Sequence, residues 1–192
     1  VESSTLARRF HRPTPSGRNP VLRPDRTWES AGSLSANAMP FSDGVWYDPR
    51  EKIFRMWYLA SAPEGVVAAQ PKGGLVTCYA TSRDGITWVK PALDVVPGTN
   101  IVQAQARDSG LVWLDQAAAD PAWRHLMLRV ARDPRNNYWS KFVHFSRDGI
   151  HWSEPAGESG GLKWLGDRSS LFFNPFRDVW VFSLRNSIRN DP

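Results

Sequence analysis

"SRDGITW" occupies residues 82–88, and "SRDGIHW" returns at 146–152 with one letter changed. A string echoed after about 60 residues marks a repeat architecture, in which each unit is one supersecondary element that buries its apolar face against a neighbour. Working outward, each echo closes a run of three apolar stretches. The first run is "DGVWYDP" (43–49), "IFRMWYLAS" (53–61) and "GLVTCYATSRDGITW" (74–88). The second is "DSGLVWLDQ" (108–116), "RHLMLRVAR" (124–132) and "WSKFVHFSRDGIHW" (139–152). A third begins with "DRSSLFFNP" (167–175) and "DVWVFSLR" (178–185) and stops before its echo.

These stretches are short, aromatic and separated by turn residues. Ten tryptophans, nine phenylalanines and fifteen prolines in 192 residues favour strands and turns over helices. Asp-Gly between two strand-like runs is a hairpin signal, because a tight primed turn needs positive φ. Asp84-Gly85 and Asp148-Gly149 are therefore expected to turn a third strand into a fourth, outer one carrying Trp88 and Trp152. Four antiparallel strands per unit, repeated, describe the blades of a β-propeller whose first strands line a central channel. The predicted fold is all-β, a partial propeller of about two and a half four-stranded blades. Its expected divisions are an N-terminal segment with a substrate-side loop (1–42), blade 1 (43–107), blade 2 (108–166) and the start of blade 3 (167–192).

Composition narrows the function. A chain that is 41% hydrophobic buries a core, and no apolar run approaches the roughly 20 residues of a spanning helix, so no membrane partner is expected. The net charge of +5 would suit nucleic acid, but the arginines are scattered in ones and twos and read as solvated charges on a β surface. No nucleic-acid partner is expected. Cys78, the single cysteine, sits in an alternating apolar run and reads as a buried thiol. His11, His125, His144 and His151 form no zinc-binding spacing and no phosphate-binding glycine string occurs, so no metal and no cofactor is expected. The chain opens on Val1 without an apolar signal segment, which fits a mature secreted form or an excised fragment and leaves the compartment open.

Three segments resemble the five-bladed propeller glycoside hydrolases, the broad group of invertases, levansucrases and arabinanases. They are "NPVLRPDRTWE" (19–29), "WYDP" through "FRMWY" (46–58) and "LFFNPFRDVWVFSLR" (171–185). The echo also resembles the Asp-box hairpin of sialidase-like propellers, where the Asp is structural, with one residue fewer between Asp and Gly. The likeness implies a carbohydrate substrate and a glycosidic bond in a plant or microbial glycan. The same channel face would also serve a non-catalytic module binding carbohydrate or protein. Those enzymes use five blades, so the resemblance implies an N-terminal portion of a longer protein, with remaining blades or a covering partner on the open edge. The invertase string "NDPNG" is absent. Arg-Asp-Pro at 132–134 follows a second strand instead of opening a blade, so it is not equated with the invertase stabilising aspartate.

Glycoside hydrolysis needs two carboxyl groups flanking the scissile bond, one protonated and one ionised. Asp43, Asp108 and Asp167 stand at comparable places before the three blade-opening strands. Carboxylates gathered from successive blades would push one pKa upward and separate acid from base. The competing reading is that Asp is a common turn former before any strand. By resemblance, Asp43 would be the base or nucleophile and Asp167 would modulate or replace the acid. The usual donor in those enzymes is a Glu on a middle or later blade, and none of the six glutamates here opens a blade. Trp28 beside Glu29, and Trp46 near Asp43, are candidate stacking platforms for a sugar face, with core packing as the alternative. Arg168, next to Asp167, is a candidate fork for a hydroxyl or carboxylate.

Overall fold

The computed structural model describes residues 5, 7–29, 36–67, 70, 72–135, 137–156 and 169–185. Eleven strands and two single-turn 3-10 segments make up its regular structure. Blade 1 is built on two long strands, β3 (Ile53–Ala62) and β4 (Gly74–Ser82), paired antiparallel from Phe54↔Ser82 to Ala62↔Gly74. Its innermost strand is broken into β1 (Ala38–Met39) and β2 (Val45–Asp48), which pair with opposite halves of β3. Its outermost strand is broken too, into β5 (Trp88–Val89) and β6 (Ile101–Gln103), both on β4. The sequence contained no clear sign of β1 or β6, since two or three residues are too few to show a period.

Blade 2 is the sheet β7 (Ser109–Leu114), β8 (His125–Arg132) and β9 (Trp139–Ser146), with a fourth segment reduced to the bridge Val143↔Ala156. Blade 3 is represented by the hairpin β10 (Ser170–Asn174) and β11 (Val179–Ser183). The chain is thus a partial propeller, all-β with antiparallel blades and no closed barrel.

Period-two alternation sends each strand's side chains to opposite faces, and both faces of β3 and β4 are buried. Met56, Tyr58, Ala60, Val76, Cys78 and Ala80 form one core, which Leu22 and Trp28 of the N-terminal segment cover. Trp57, Tyr79, Val102, Val112 and Met127 form a second core between blades 1 and 2. Leu126, Leu128 and Leu171 join blade 2 to blade 3.

The innermost strands of blades 1 and 2 lie side by side. The Val112 N–H donates to the Asp43 carbonyl at 2.5 Å, and Trp46 Nε1 donates to the Val112 carbonyl at 2.8 Å. Gly44 permits this approach, since at φ +117° a Cβ there would stand 2.9 Å from the Val112 carbonyl oxygen.

The echoed strings form the turns between third strands and outer segments, but not as tight two-residue turns. Residues 83–87 separate the paired Ser82 and Trp88. The Asp84 Oδ1 accepts from the backbone N–H groups of Ile86 and Thr87, and Asp148 Oδ1 does the same for Ile150 and His151. Only the glycines take positive φ, +72° at Gly85 and +79° at Gly149. Among the described residues, no helix is long and apolar enough to cross a membrane.

Candidate functional site

Asp43 lies in the gap between β1 and β2, where the chain leaves the edge of β3 and turns toward blade 2. Its carboxylate is 1% exposed. The Arg107 guanidinium meets it with a two-pronged contact, Nη1 on Oδ1 and Nη2 on Oδ2 at 3.1 Å, and Nη1 also donates to Thr77 Oγ1 at 2.7 Å. Burial pushes the Asp43 carboxyl above the usual carboxylate range, against the opposing pull of the Arg107 charge. Asp108, the next residue in the chain after Arg107, is half-buried, and its backbone N–H donates to the Val130 carbonyl at 2.8 Å. Asp167 and Arg168 lie outside the described residues.

Glu29 is enclosed in the protein. It is 0% exposed, accepting from Tyr58 Oη at 2.6 Å, from Lys90 Nζ at 2.7 Å and from the backbone N–H groups of Asp25 and Arg26. Trp28 is half-buried beside it, its indole N–H held by Asn100 Oδ1 at 2.8 Å. This cluster ties the N-terminal segment to the outer face of blade 1. The Trp46 ring is half-buried with its edge toward Trp113, at a centroid distance of 4.8 Å.

Most of the described arginines are exposed, as read from the sequence, but Arg55, Arg107, Arg124 and Arg129 are buried. At those four positions the surface reading is corrected, and the physical reason is pairing: a guanidinium enters a core when most of its donors are met there. Arg55 and Arg124 both bond Asp48, at 3.0 and 2.6 Å, across the join of blades 1 and 2. Burial pushes the Asp48 carboxyl up, yet hydrogen bonds from Arg124 and the Arg50 backbone, with the nearby arginine charges, carry it below the usual range.

Arg129 differs from these. It is 5% exposed, and its bonds go to neutral acceptors: the Ala106 carbonyl at 2.6 Å, Gln105 Oε1 at 2.6 Å and His144 Nε2 at 3.3 Å. It stacks over Phe142 at 4.4 Å. Burial and the neighbouring Arg107 charge bring its pKa down to about 10.

Arg129 opens into a cavity of about 780 Å³, also lined by Arg132, Asp133, Arg135, Phe142 and Glu154. The cavity lies where β8 ends and β9 begins, the same end of the sheet at which β7 starts, since Ser109 pairs with Val130. The Asp133 carboxylate is taken up by Arg135, with Nη2 to Oδ2 at 2.7 Å. The hint of this site in the sequence was the Arg-Asp-Pro string, followed at once by a further arginine. Among the described residues, no group of three His, Cys, Asp or Glu side chains is placed to hold a metal ion.

No family profile and no curated protein sequence matches the chain. Solved structures do match its fold. A fructofuranosidase from Schwanniomyces occidentalis complexed with fructose superposes with a TM-score of 0.50 at 16% identity, over 74% of this chain and 28% of that one. A structure from the GH130 family of mannoside phosphorylases, which contains glycoside hydrolases that target beta-1,2 mannosidic linkages in Candida mannan, matches with a TM-score of 0.50 at 15% identity, over 82% of this chain and 45% of that one. A complex of BT0996 with RGII matches with a TM-score of 0.50 at 14% identity, over 89% of this chain and 51% of that one. The fold is that of the propeller glycoside hydrolases, and this chain spans from 28% to 51% of the length of these neighbours.

Proposed function

We propose that this chain is part of a propeller that acts on a glycosidic bond of a plant or microbial glycan. The observation that carries this reading is the coincidence of a glycoside-hydrolase-like fold with a cavity, lined by both charged and apolar side chains, at the end of blade 2 where its first strand begins. Asp43 is the proposed base or nucleophile, in the break between β1 and β2 of blade 1. The raised affinity of its carboxyl for a proton, and its contact with the charged donor Arg107, suit a group that changes charge during a reaction. Asp167 and Asp108 remain the proposed second carboxylates. A pair separated by about 5–5.5 Å would retain anomeric configuration, and one separated by about 6.5–9.5 Å would invert it.

A second reading has its own support. Asp43 is shut beneath Arg107, as expected of a pair that only fastens two blades, and a propeller with such a pair would bind a glycan without cleaving it. Release of reducing ends from fructan, mannan, arabinan and pectin oligosaccharides distinguishes the two. Wild type and Asp43→Asn should be assayed well below both melting temperatures. Hydrolysis reduced at least about a hundredfold in the variant supports the catalytic role. Hydrolysis equal in both removes that role, and binding without any turnover by wild type favours the second reading.

A further inference from the structure

Among the described residues, the wall of the cavity at the end of blade 2 carries more positive charge than its carboxylates neutralise. Of the three guanidinium groups on its wall, only Arg135 has a carboxylate of the described residues bonded to it. Arg132 donates to the Asn137 carbonyl at 2.9 Å and lies over the Trp139 ring at 4.8 Å, and Arg129 is bonded to neutral atoms alone. A buried cation is costly unless an anion stands beside it. Glu154 is on the wall and its field reaches Arg129, which still leaves one guanidinium in excess.

His144 adds no further positive charge beside Arg129. Its Nδ1 faces the Ser153 carbonyl at 2.9 Å and its Nε2 accepts from Arg129, so the ring is a neutral relay that fixes the guanidinium plane. Each nitrogen of the Arg129 guanidinium donates one of these bonds, and two of its five N–H donors, one on each Nη, have no partner among them. Phe142, Pro134 and Pro155 give the same cavity an apolar side suited to the carbon face of a sugar ring.

We propose that this cavity binds a sugar unit bearing a carboxylate, a uronate, with Arg129 and Arg132 receiving the acid group and the apolar wall receiving the ring. The proposal rests on the glycan reading above and narrows it to acidic glycans. A carboxylate matches a guanidinium fork through two parallel hydrogen bonds, which a hydroxyl cannot do with full charge.

The test compares oligogalacturonate with the same oligosaccharide methyl-esterified, by titration calorimetry on the full chain. The expected result is binding of the acid at least about tenfold tighter than the ester, weakening as salt rises from about 50 to 500 mM. Arg132→Gln, on an exposed side chain, should lose about tenfold for the acid and little for the ester, while Arg177→Gln, at the β10–β11 turn, should change neither. Arg129→Gln is read beside its thermal melt, so that lost binding is separated from lost fold. Equal affinity for acid and ester overturns the charge assignment and leaves the glycan reading standing. Failure of the acid, the ester and the neutral oligosaccharides to bind overturns both.

Discussion

His125 is fully buried at the start of β8, between the Trp57 and Trp152 rings, with Nδ1 3.3 Å from the Ser146 carbonyl. Burial, with the charges of Arg55 and Arg124 nearby and Asp48 opposing them, pushes its pKa down to about 4. An ordinary histidine in the unfolded chain titrates near 6.5, so between those values the unfolded state binds the extra proton. The stability from keeping this ring neutral is therefore complete above about pH 6.5 and is lost as pH falls toward 4. Urea unfolding at pH 7 and pH 5 should show wild type losing about 2 kcal/mol more than His125→Gln over that interval. Equal losses would mean the ring is protonated in the fold. Exposed His151, held between Asp148 and Asp94, is shifted upward and contributes with the opposite sign, which is why the difference between the two proteins is the quantity to measure.

The two echoed hairpins show how one string can serve two environments. In both, a serine hydroxyl accepts from the glycine N–H, at 2.9 Å for Ser82 and 2.8 Å for Ser146. Their surroundings differ. The second hairpin docks on blade 1, where the Gly149 carbonyl accepts from Trp57 Nε1 at 2.8 Å and the Asp148 carbonyl accepts from Arg55 at 3.0 Å. A Cβ at Gly149 would stand 2.5 Å from Trp57 Cζ2, whereas at Gly85 the nearest atom is on the Phe54 ring at 3.7 Å. Gly85→Ala should cost about 1–2 kcal/mol, the strain of positive φ alone. Gly149→Ala should cost at least about 2 kcal/mol more, because the hairpin must lift off blade 1. Denaturant midpoints of the two variants test this directly, and matching values would contradict the docking.

At the level of the whole chain, the two ends of the blade stack are finished differently. On blade 1, the N-terminal segment covers the outer core through Leu22 and Trp28 and is locked by Glu29. On blade 3, Phe172 is 41% exposed and Val179 44%, on the face of the hairpin turned away from blade 2, and Phe176 protrudes from its turn. An uncovered apolar sheet invites pairing with another surface. The isolated chain should self-associate with rising concentration, and Phe172→Ser combined with Phe176→Ser should lower the mean mass seen by light scattering. A wild-type chain that stays monomeric at about 100 μM would show that the face is too small to drive association.

What the amino-acid order determined by itself was the grammar of the blades. Alternation along 53–61 and 124–132, the Asp-Gly turns and the doubled string are local signals, since side-chain direction in a strand repeats every two residues whatever lies around it. What only the tertiary structure decided was the company each charged residue keeps. Asp43 meets Arg107, Asp48 meets Arg124, and Arg129 faces a cavity with no carboxylate bonded to it. Alternation puts Arg129 and Arg132, three residues apart, on opposite faces of β8, but it does not say which of the two faces is covered. Their difference comes from how blades 1 and 2 pack, and the energy of a charge depends on the groups that surround it in space.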